Sequence, residues 1–515
     1  MIKKLDEFSG TDLEKICKAA EFLRTHSHST LYINPGVYNI TGKEEKQLYR
    51  DIISTKYGDN PQPFTLNRNF RYSRLLDLDG AVDVKVIADG ALFMIDGFFE
   101  PVSIRNCHNV EISGLSIDWL RKPYSRAKVI ETFFEDDMNC LRVVFRENDM
   151  PDKFVTLRTA CYNPKTGFLD FALFYIKEIR RETNNIFVLG LTNNAPIDIV
   201  GCDLYIWHFY HSRPAVLLQN AENVVLKDIF IHSNPGMGIT AHLCENITLE
   251  GVSIVPSRGD RVSTDTDATH FVSCRGKLDI HGCAFDGNGD DAVNVHTYYH
   301  SYEPLGDGRY KLACMAADGT HTAAADLPRI GDELCLVKRG TLDNGDRFKV
   351  LECLDNEDGT FTVKLSAELP NKDDYYLTND SASPEFIFSN CKVSNNYARG
   401  VLIKTKKADV FDSLFVNTHL TAVSASAEEG WGEGIPPQDV KIHDNVFVNC
   451  ARHGGQATAV AVFTDSKSGK GEQIDKVYIY RNKIISDGEK PDFYVNNVKN
   501  PHLEDNTSIH LDNKK

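Results

Sequence analysis

Alternating apolar and polar positions recur along this chain in a fixed frame. A polar residue, most often Asn or Asp, opens a short strand; Gly, Asp or Asn turns it; a second short apolar strand follows. Residues 109–117 form the first clear copy, 223–231 and 246–254 follow at an offset of 23 residues, and further copies stand at 277–285, 439–447 and 476–484. Side chains alternate across a strand, so each copy sends every second residue into a core and the others toward water. A single copy has nothing to pack its apolar face against. Stacked coils supply that partner, which is why self-similarity at a period of roughly 20 to 50 residues means a solenoid. The fold predicted is all-β, a right-handed parallel β-helix running from about residue 75 to 500.

The frame breaks at both ends and twice inside. Thr11 to His26 reads as an amphipathic helix, with Thr11 and Glu14 as a capping box and Ile16, Ala19, Ala20 and Leu23 on one face. It is placed to plug the open end of the solenoid, where strand edges and core would otherwise be exposed. From 125 to 206 and again from 302 to 385 no Asn-led unit appears. Short strands there alternate with turn clusters such as 163–167, Asp343-Asn344-Gly345 and the acidic tip 355–359. Each stretch predicts a small antiparallel barrel or sandwich inserted between coils. The expected division is a cap over 1–40, first coils over 41–124, a barrel-like insert over 125–206, coils over 207–301, a second insert over 302–385, and final coils with a tail over 386–515.

Composition narrows the partners. A hydrophobic share of 42% with 25% charged residues is that of a folded soluble protein, and no apolar run approaches the length that spans a bilayer. With 73 acids against 57 bases the formal charge is −16, which argues against nucleic acid and, more weakly, against a polyanionic substrate such as pectate. The 13 cysteines are scattered from Cys17 to Cys450 without a Cys-x-x-Cys pair, and read as buried free thiols in a solenoid core. The first residues lack the apolar segment of a secretory signal, so the chain as given reads cytoplasmic; one trimmed of a leader would be secreted or periplasmic.

Candidate chemistry gathers in one place. Asp267 precedes the pair Asp290-Asp291 by 23 and 24 residues, about one coil, so three carboxylates are expected on one wall. Like charges that close resist simultaneous ionisation, and one member with a raised pKa gives a site both a proton donor and a base. Glycoside hydrolysis needs that division of labour. An acidic turn ladder or a calcium site is the plainer alternative. His270, Asn288, Asn294 and His296 crowd the same edge and are candidate substrate-binding residues. Arg399 and Lys404, on a later coil strand, are placed to hold sugar hydroxyls, to offset the acidic trio, or simply to face water. Trp431 and Glu433 lie in a Gly-rich loop one coil further on, where an exposed indole suits the apolar face of a sugar and packing under the loop is the alternative. Asp118-Trp119 reads as structural.

Asp267, the run Gly289 to His296, the run Ala398 to Ile403 and the Glu/Trp/Gly loop before Asp439-Val440 together resemble glycoside hydrolase family 110. The resemblance covers roughly residues 75 to 485, both inserts included. It implies a pectate-lyase-like solenoid with α-galactosidase activity on terminal α-1,3-linked galactose, inversion at the anomeric carbon, and no metal or other cofactor. More distantly the trio is similar to that of polygalacturonases, which implies Asp290 as general acid with Asp267 and Asp291 positioning the water. The polygalacturonase Gly-His-Gly is not evident, and Arg452-His453-Gly454 lies too late in the chain to stand for it. The partner expected is an oligosaccharide or glycan, with neither nucleic acid nor membrane, and with a homo-oligomer open at the C-terminal coil end. The alternatives kept are a polygalacturonase-like hydrolase, a lyase in which the trio holds calcium and Arg399 or Lys404 is the base, and a non-catalytic glycan-binding solenoid.

Overall fold

The computed structural model describes residues 1–66, 70–164, 169–170, 175–192, 199–315, 326–452, 458–471, 474–487 and 491–511. The later part of the expected 163–167 turn and the pair His453-Gly454 lie outside these. The body is a parallel β-helix whose coils each contribute one strand to a separate wall and two to a continuous sheet. One coil runs Val216–Gln219, Glu222–Lys227, Phe230–Ile231, and the next Ile239–His242, Glu245–Glu250, Ser253–Ile254. All three strand pairs keep one register, Val216 opposite Ile239, Val224 opposite Ile247 and Ile231 opposite Ile254. Those inward side chains are buried, with Phe93, Phe271, Phe285, Phe388 and Phe447 continuing the core along the solenoid.

The opening Asn of the repeat has a physical reason. Asn109, Asn223 and Asn246 sit in the left-handed region at φ 55°, 56° and 57°, which Asn tolerates better than other side chains. Their amides also form a ladder: Asn223 donates to Asn109 and Asn246 donates to Asn223, both at 3.0 Å. Each coil therefore turns at the same place as the one before it.

The helix Asp12–Thr25 caps the N-terminal end, with Thr11 and Glu14 forming the capping box and Ile16, Ala19, Ala20 and Leu23 buried. Residues 41–124 differ from the expected run of coils, because Lys43–Ile53 is a second helix. It buries Tyr49, Ile52 and Ile53, and Tyr49 Oη donates to the Arg121 carbonyl at 3.0 Å. The first insert begins at the strand Tyr124–Glu135 and ends with Asp203–Trp207. Among the described residues it is a seven-stranded antiparallel sheet, in keeping with the expected antiparallel β insert. The second insert, His300–Gly306 through Tyr375–Asn379, closes as a six-stranded barrel around Tyr302, Leu312, Val350 and Val363. All thirteen cysteines are free thiols, and all but Cys17, Cys314 and Cys353 are buried. No described helix is long and apolar enough to cross a membrane.

Candidate active site

The separate wall carries the site. Its strands Ile239–His242, Thr269–Val272, Val293–Tyr298, Val401–Ile403 and Val423–Glu428 lie side by side in parallel. Alternation sends Phe271, Val295, Ile403 and Ala425 into the core. The residues between them, His270, Asn294 and Leu402 in one row and His296 and Lys404 in the next, point the other way and pave a floor. The inserts and the loop after Glu428 stand over that floor, so it is buried although it faces out of the solenoid: His270 is 6% exposed, Asn294 5%, His296 2% and Lys404 1%.

The trio sits where the chain enters this wall. Thr269 pairs with Val293 and Val293 with Val401; two residues upstream, Asp267, Asp291 and Arg399 fall in one file. The interval that matches positions is therefore 24 residues, Asp267 to Asp291, and Asp290 steps out beside them toward the cleft. Each carboxylate caps the next coil: Asp267 Oδ1 accepts from the Asp291 amide at 3.2 Å, and Asp291 Oδ1 from the Arg399 amide at 2.8 Å. Oxygens of Asp267, Asp290 and Asp291 all lie within 4.8 Å of one another. Asp267 and Asp291 are buried, and the Asp290 side chain retains 22% exposure.

Two guanidinium groups attend the trio. Arg399 Nε lies 3.2 Å from Asp291 Oδ1 and its Nη1 3.1 Å from Glu428. Arg158, on the strand Arg158–Tyr162 of the first insert, donates to the Gly289 carbonyl and reaches Asp290 Oδ2 at 3.3 Å, with Tyr210 beneath its planar group. Lys404 is buried between Glu433, which it contacts directly, and Glu428 at 3.4 Å. The spacing of the trio is also one a cation would accept, but each carboxylate already has a protein partner: Arg158 for Asp290, Arg399 for Asp291 and His270 for Asp267.

Charge counting fixes the protonation of this cluster. Asp267, Asp290, Asp291, Glu428 and Glu433 are five acids, against Arg158, Arg399 and Lys404 as fixed cations. A surplus of two negative charges in a buried cleft is expensive, so protons are retained. Burial, with the neighbouring Asp290 and Glu433 charges, pushes the Asp267 carboxyl well above the usual carboxylate range. Burial also pushes Asp291 up to about 8 against the pull of Arg399. Burial opposes ionising Glu433 too, yet the Lys404 ammonium in direct contact holds it below the ordinary range. Asp267 and Asp291 therefore hold their protons more tightly than ordinary carboxyls do.

The candidate residues fall into three groups. Asp267, Asp290, Asp291, His270, His296, Arg399, Lys404 and Glu433 come together in one connected network. Asn294 faces the same cleft with its Oδ1 buried and bonded to no protein group. Asn288 instead lies inside the turn, fully buried and donating to Ser263 Oγ at 2.8 Å, where it shapes the loop that carries Asp290. Trp431 stands at the loop tip, 53% exposed, two residues before Glu433. Sequence reasoning missed Arg158 and Glu428. Nothing local marks Arg158, which arrives from an inserted sheet more than a hundred positions upstream. Glu428 ends the strand Val423–Glu428, and its position on the row beyond Lys404 was available from the coil register.

Fold and site together define a parallel β-helix with a cluster of acids at the entrance to one wall. No family model matches the chain. It is 32% identical over 271 residues to alpha-1,3-galactosidase B of Phocaeicola vulgatus, covering 49% of this chain and 44% of that protein. It is 25% identical over 506 residues to alpha-1,3-galactosidase A of Shewanella woodyi, covering 92% and 80%. The chain thus spans less than half of the first relative and most of the second. Among solved structures, an exopolygalacturonase from Thermotoga maritima aligns over 96% of this chain and 85% of its own, with 13% identity and a TM-score of 0.42.

Proposed function

We propose that this protein is an exo-acting glycoside hydrolase that removes terminal α-1,3-linked galactose from oligosaccharides or glycans with inversion. The observation that carries the reading is the trio of carboxylates within 4.8 Å, two buried and one facing the cleft, beside a floor with an unsatisfied Asn294 acceptor. The relatives named alpha-1,3-galactosidase supply the sugar and linkage.

Asp290 is the exposed member and is the acid that meets the leaving oxygen; Asp267 and Asp291 lie behind it and hold the water. Carboxyl pairs in inverting enzymes usually stand about 6.5–9.5 Å apart with the water between them. This trio is tighter, so the water must lie beside it, gripped by the two inner carboxylates. Arg158 and Arg399 carry the positive charge that offsets the ionised members. Asn294 and the exposed Trp431 face are suited to a sugar hydroxyl and a sugar ring respectively. Incubating the protein with α-1,3-galactobiose tests the reading. Galactose released by the wild type and not by Asp290→Asn supports it, and absence of release, or an unsaturated product absorbing in the ultraviolet, would replace hydrolysis with binding or elimination.

A further inference from the structure

Behind the trio runs a hydrogen-bond chain whose far end fixes which His296 nitrogen donates. His296 Nδ1 lies 3.0 Å from the Thr297 carbonyl, which can only accept, so that nitrogen carries a proton. His296 is buried, and burial pulls it down to about 3, so its ring is neutral and Nε2 is bare. His270 Nε2 stands 2.7 Å from that bare nitrogen and must be the donor. The other side of the His270 ring, Nδ1, faces Asp267 Oδ2 at 2.5 Å. Were Asp267 ionised and His270 Nδ1 bare, two lone pairs would meet there, so the contact contains a proton. Other charges face this chain from the elements packed on it. They are Glu433, 3.9 Å from His296, and Lys404 behind it, with Asp290 and Asp291 on the side of Asp267.

We infer that His270, its tautomer fixed by His296 and Thr297, keeps one proton shared with Asp267, and that Asp291 is consequently the carboxylate that takes the proton from the attacking water. The inference rests on the hydrolytic reading for its second half only. Asp267 already shares a proton, so accepting a second would leave a net positive pair in a buried site. Asp291 receives both of its Arg399 bonds on Oδ1, which leaves Oδ2 for the water. In the step itself the water oxygen bonds to the anomeric carbon, the bond from that carbon to the glycosidic oxygen breaks, Asp290 gives its proton to the departing oxygen, and the water's proton passes to Asp291. His270 and His296 act through Asp267 and are positioning residues. The surplus of two negative charges counted above is met by this arrangement, with one proton on Asp267 and His270 and one on Asp290 and Asp291.

Nitrogen NMR of histidine-labelled protein tests the first half without any substrate. The ring signals are assigned by His270→Asn and His296→Gln. Expected are His296 protonated on Nδ1 alone, and His270 protonated on Nε2 with a second, far-downfield proton at Nδ1 that vanishes in Asp267→Asn. His296→Gln, which still offers an acceptor, should keep His270 protonated on Nε2, and His296→Leu should strip that Nε2 proton and leave the ring protonated on Nδ1 alone; a merely structural histidine would show no such split. His296 protonated on Nε2, or His270 lacking the shared proton at pH 7, would overturn the inference. Azide tests the second half, because it attacks an α-galactoside without needing a base. With nitrophenyl α-galactoside, azide should restore on the order of tenfold or more of the activity lost in Asp291→Ala, yielding the β-galactosyl azide, and little in Asp267→Ala. The reverse pattern makes Asp267 the base. If the wild type cleaves no α-galactoside the proposed function has failed, and the ring nitrogens still decide where the proton lies.

Discussion

Lys404→Met isolates the electrostatic floor of the site. The substitution conserves length and apolar stem and removes only the ammonium, which is 1% exposed and holds Glu433 by direct contact and Glu428 at 3.4 Å. Glu428 keeps Arg399 at 3.1 Å, so its loss is partial. Glu433 is left with His296 at 3.9 Å, a neutral ring too distant to bond. Removing one partner of a buried ion pair costs about 3–5 kcal/mol, and this site has one carboxylate stranded in that way. Stranded carboxylates escape by taking a proton. In the wild type Glu433 is held below its ordinary range, so its contribution is present above the unfolded value and lost only as pH falls through the lower folded value. In Lys404→Met the folded value rises instead, and the deficit relative to wild type must shrink on acidification. The assay is urea unfolding at pH 7 and at pH 5, followed by far-ultraviolet circular dichroism and compared at matched slopes. The expected result is a loss of about 3–5 kcal/mol at pH 7, smaller at pH 5, with more than half recovered by adding Glu433→Gln. A loss below about 1 kcal/mol at pH 7, or a double variant no better than the single, would refute the reasoning.

Other outcomes follow from the same geometry. Asp267→Asn, Asp290→Asn and Asp291→Asn should each lower turnover of an α-galactoside by roughly 10²-fold or more at unchanged circular dichroism, and near-normal turnover in any two of them would show the roles to be misassigned. Activity requires a proton on Asp290 while Asp291 is ionised, so kcat/KM should fall once alkaline pH strips that proton, a limb read from a pH–rate profile. Arg158→Leu removes the cation 3.3 Å from Asp290 and the donor to the Gly289 carbonyl, so it should lower kcat/KM about tenfold or more at unchanged circular dichroism, read by initial-rate kinetics. Trp431→Ala should raise KM several-fold with kcat nearly unchanged if the exposed indole stacks on substrate, and initial-rate kinetics on α-1,3-galactobiose would show it.

What sequence revealed and what it concealed divide along physical lines. The β-helix was legible because Asn109, Asn223 and Asn246 turn the chain through a backbone region few residues enter, so the repeat is written in identities as well as in alternation. The trio was legible because stacked coils convert a sequence interval into a distance. The finer register was not: 23 and 24 residues were equally available, and only strand pairing shows that Asp291, not Asp290, stands opposite Asp267. The helix Lys43–Ile53 was overlooked because its burial comes from one narrow face, Tyr49, Ile52 and Ile53, in a strongly polar stretch. Arg158 was invisible for a different reason, since it meets Asp290 only through the docking of an inserted sheet on the solenoid. Asn288 was drawn into the site by proximity in sequence, while its amide is held inside the turn by Ser263 Oγ.

If Asp290 protonates the glycosidic oxygen while Asp267 and Asp291 direct a water at the anomeric carbon opposite the departing bond, hydrolysis inverts that carbon. Proton NMR of the first galactose released from a nitrophenyl α-galactoside, recorded before mutarotation, tests it most directly. The account predicts the β-anomer as the first product; the α-anomer appearing first would contradict it.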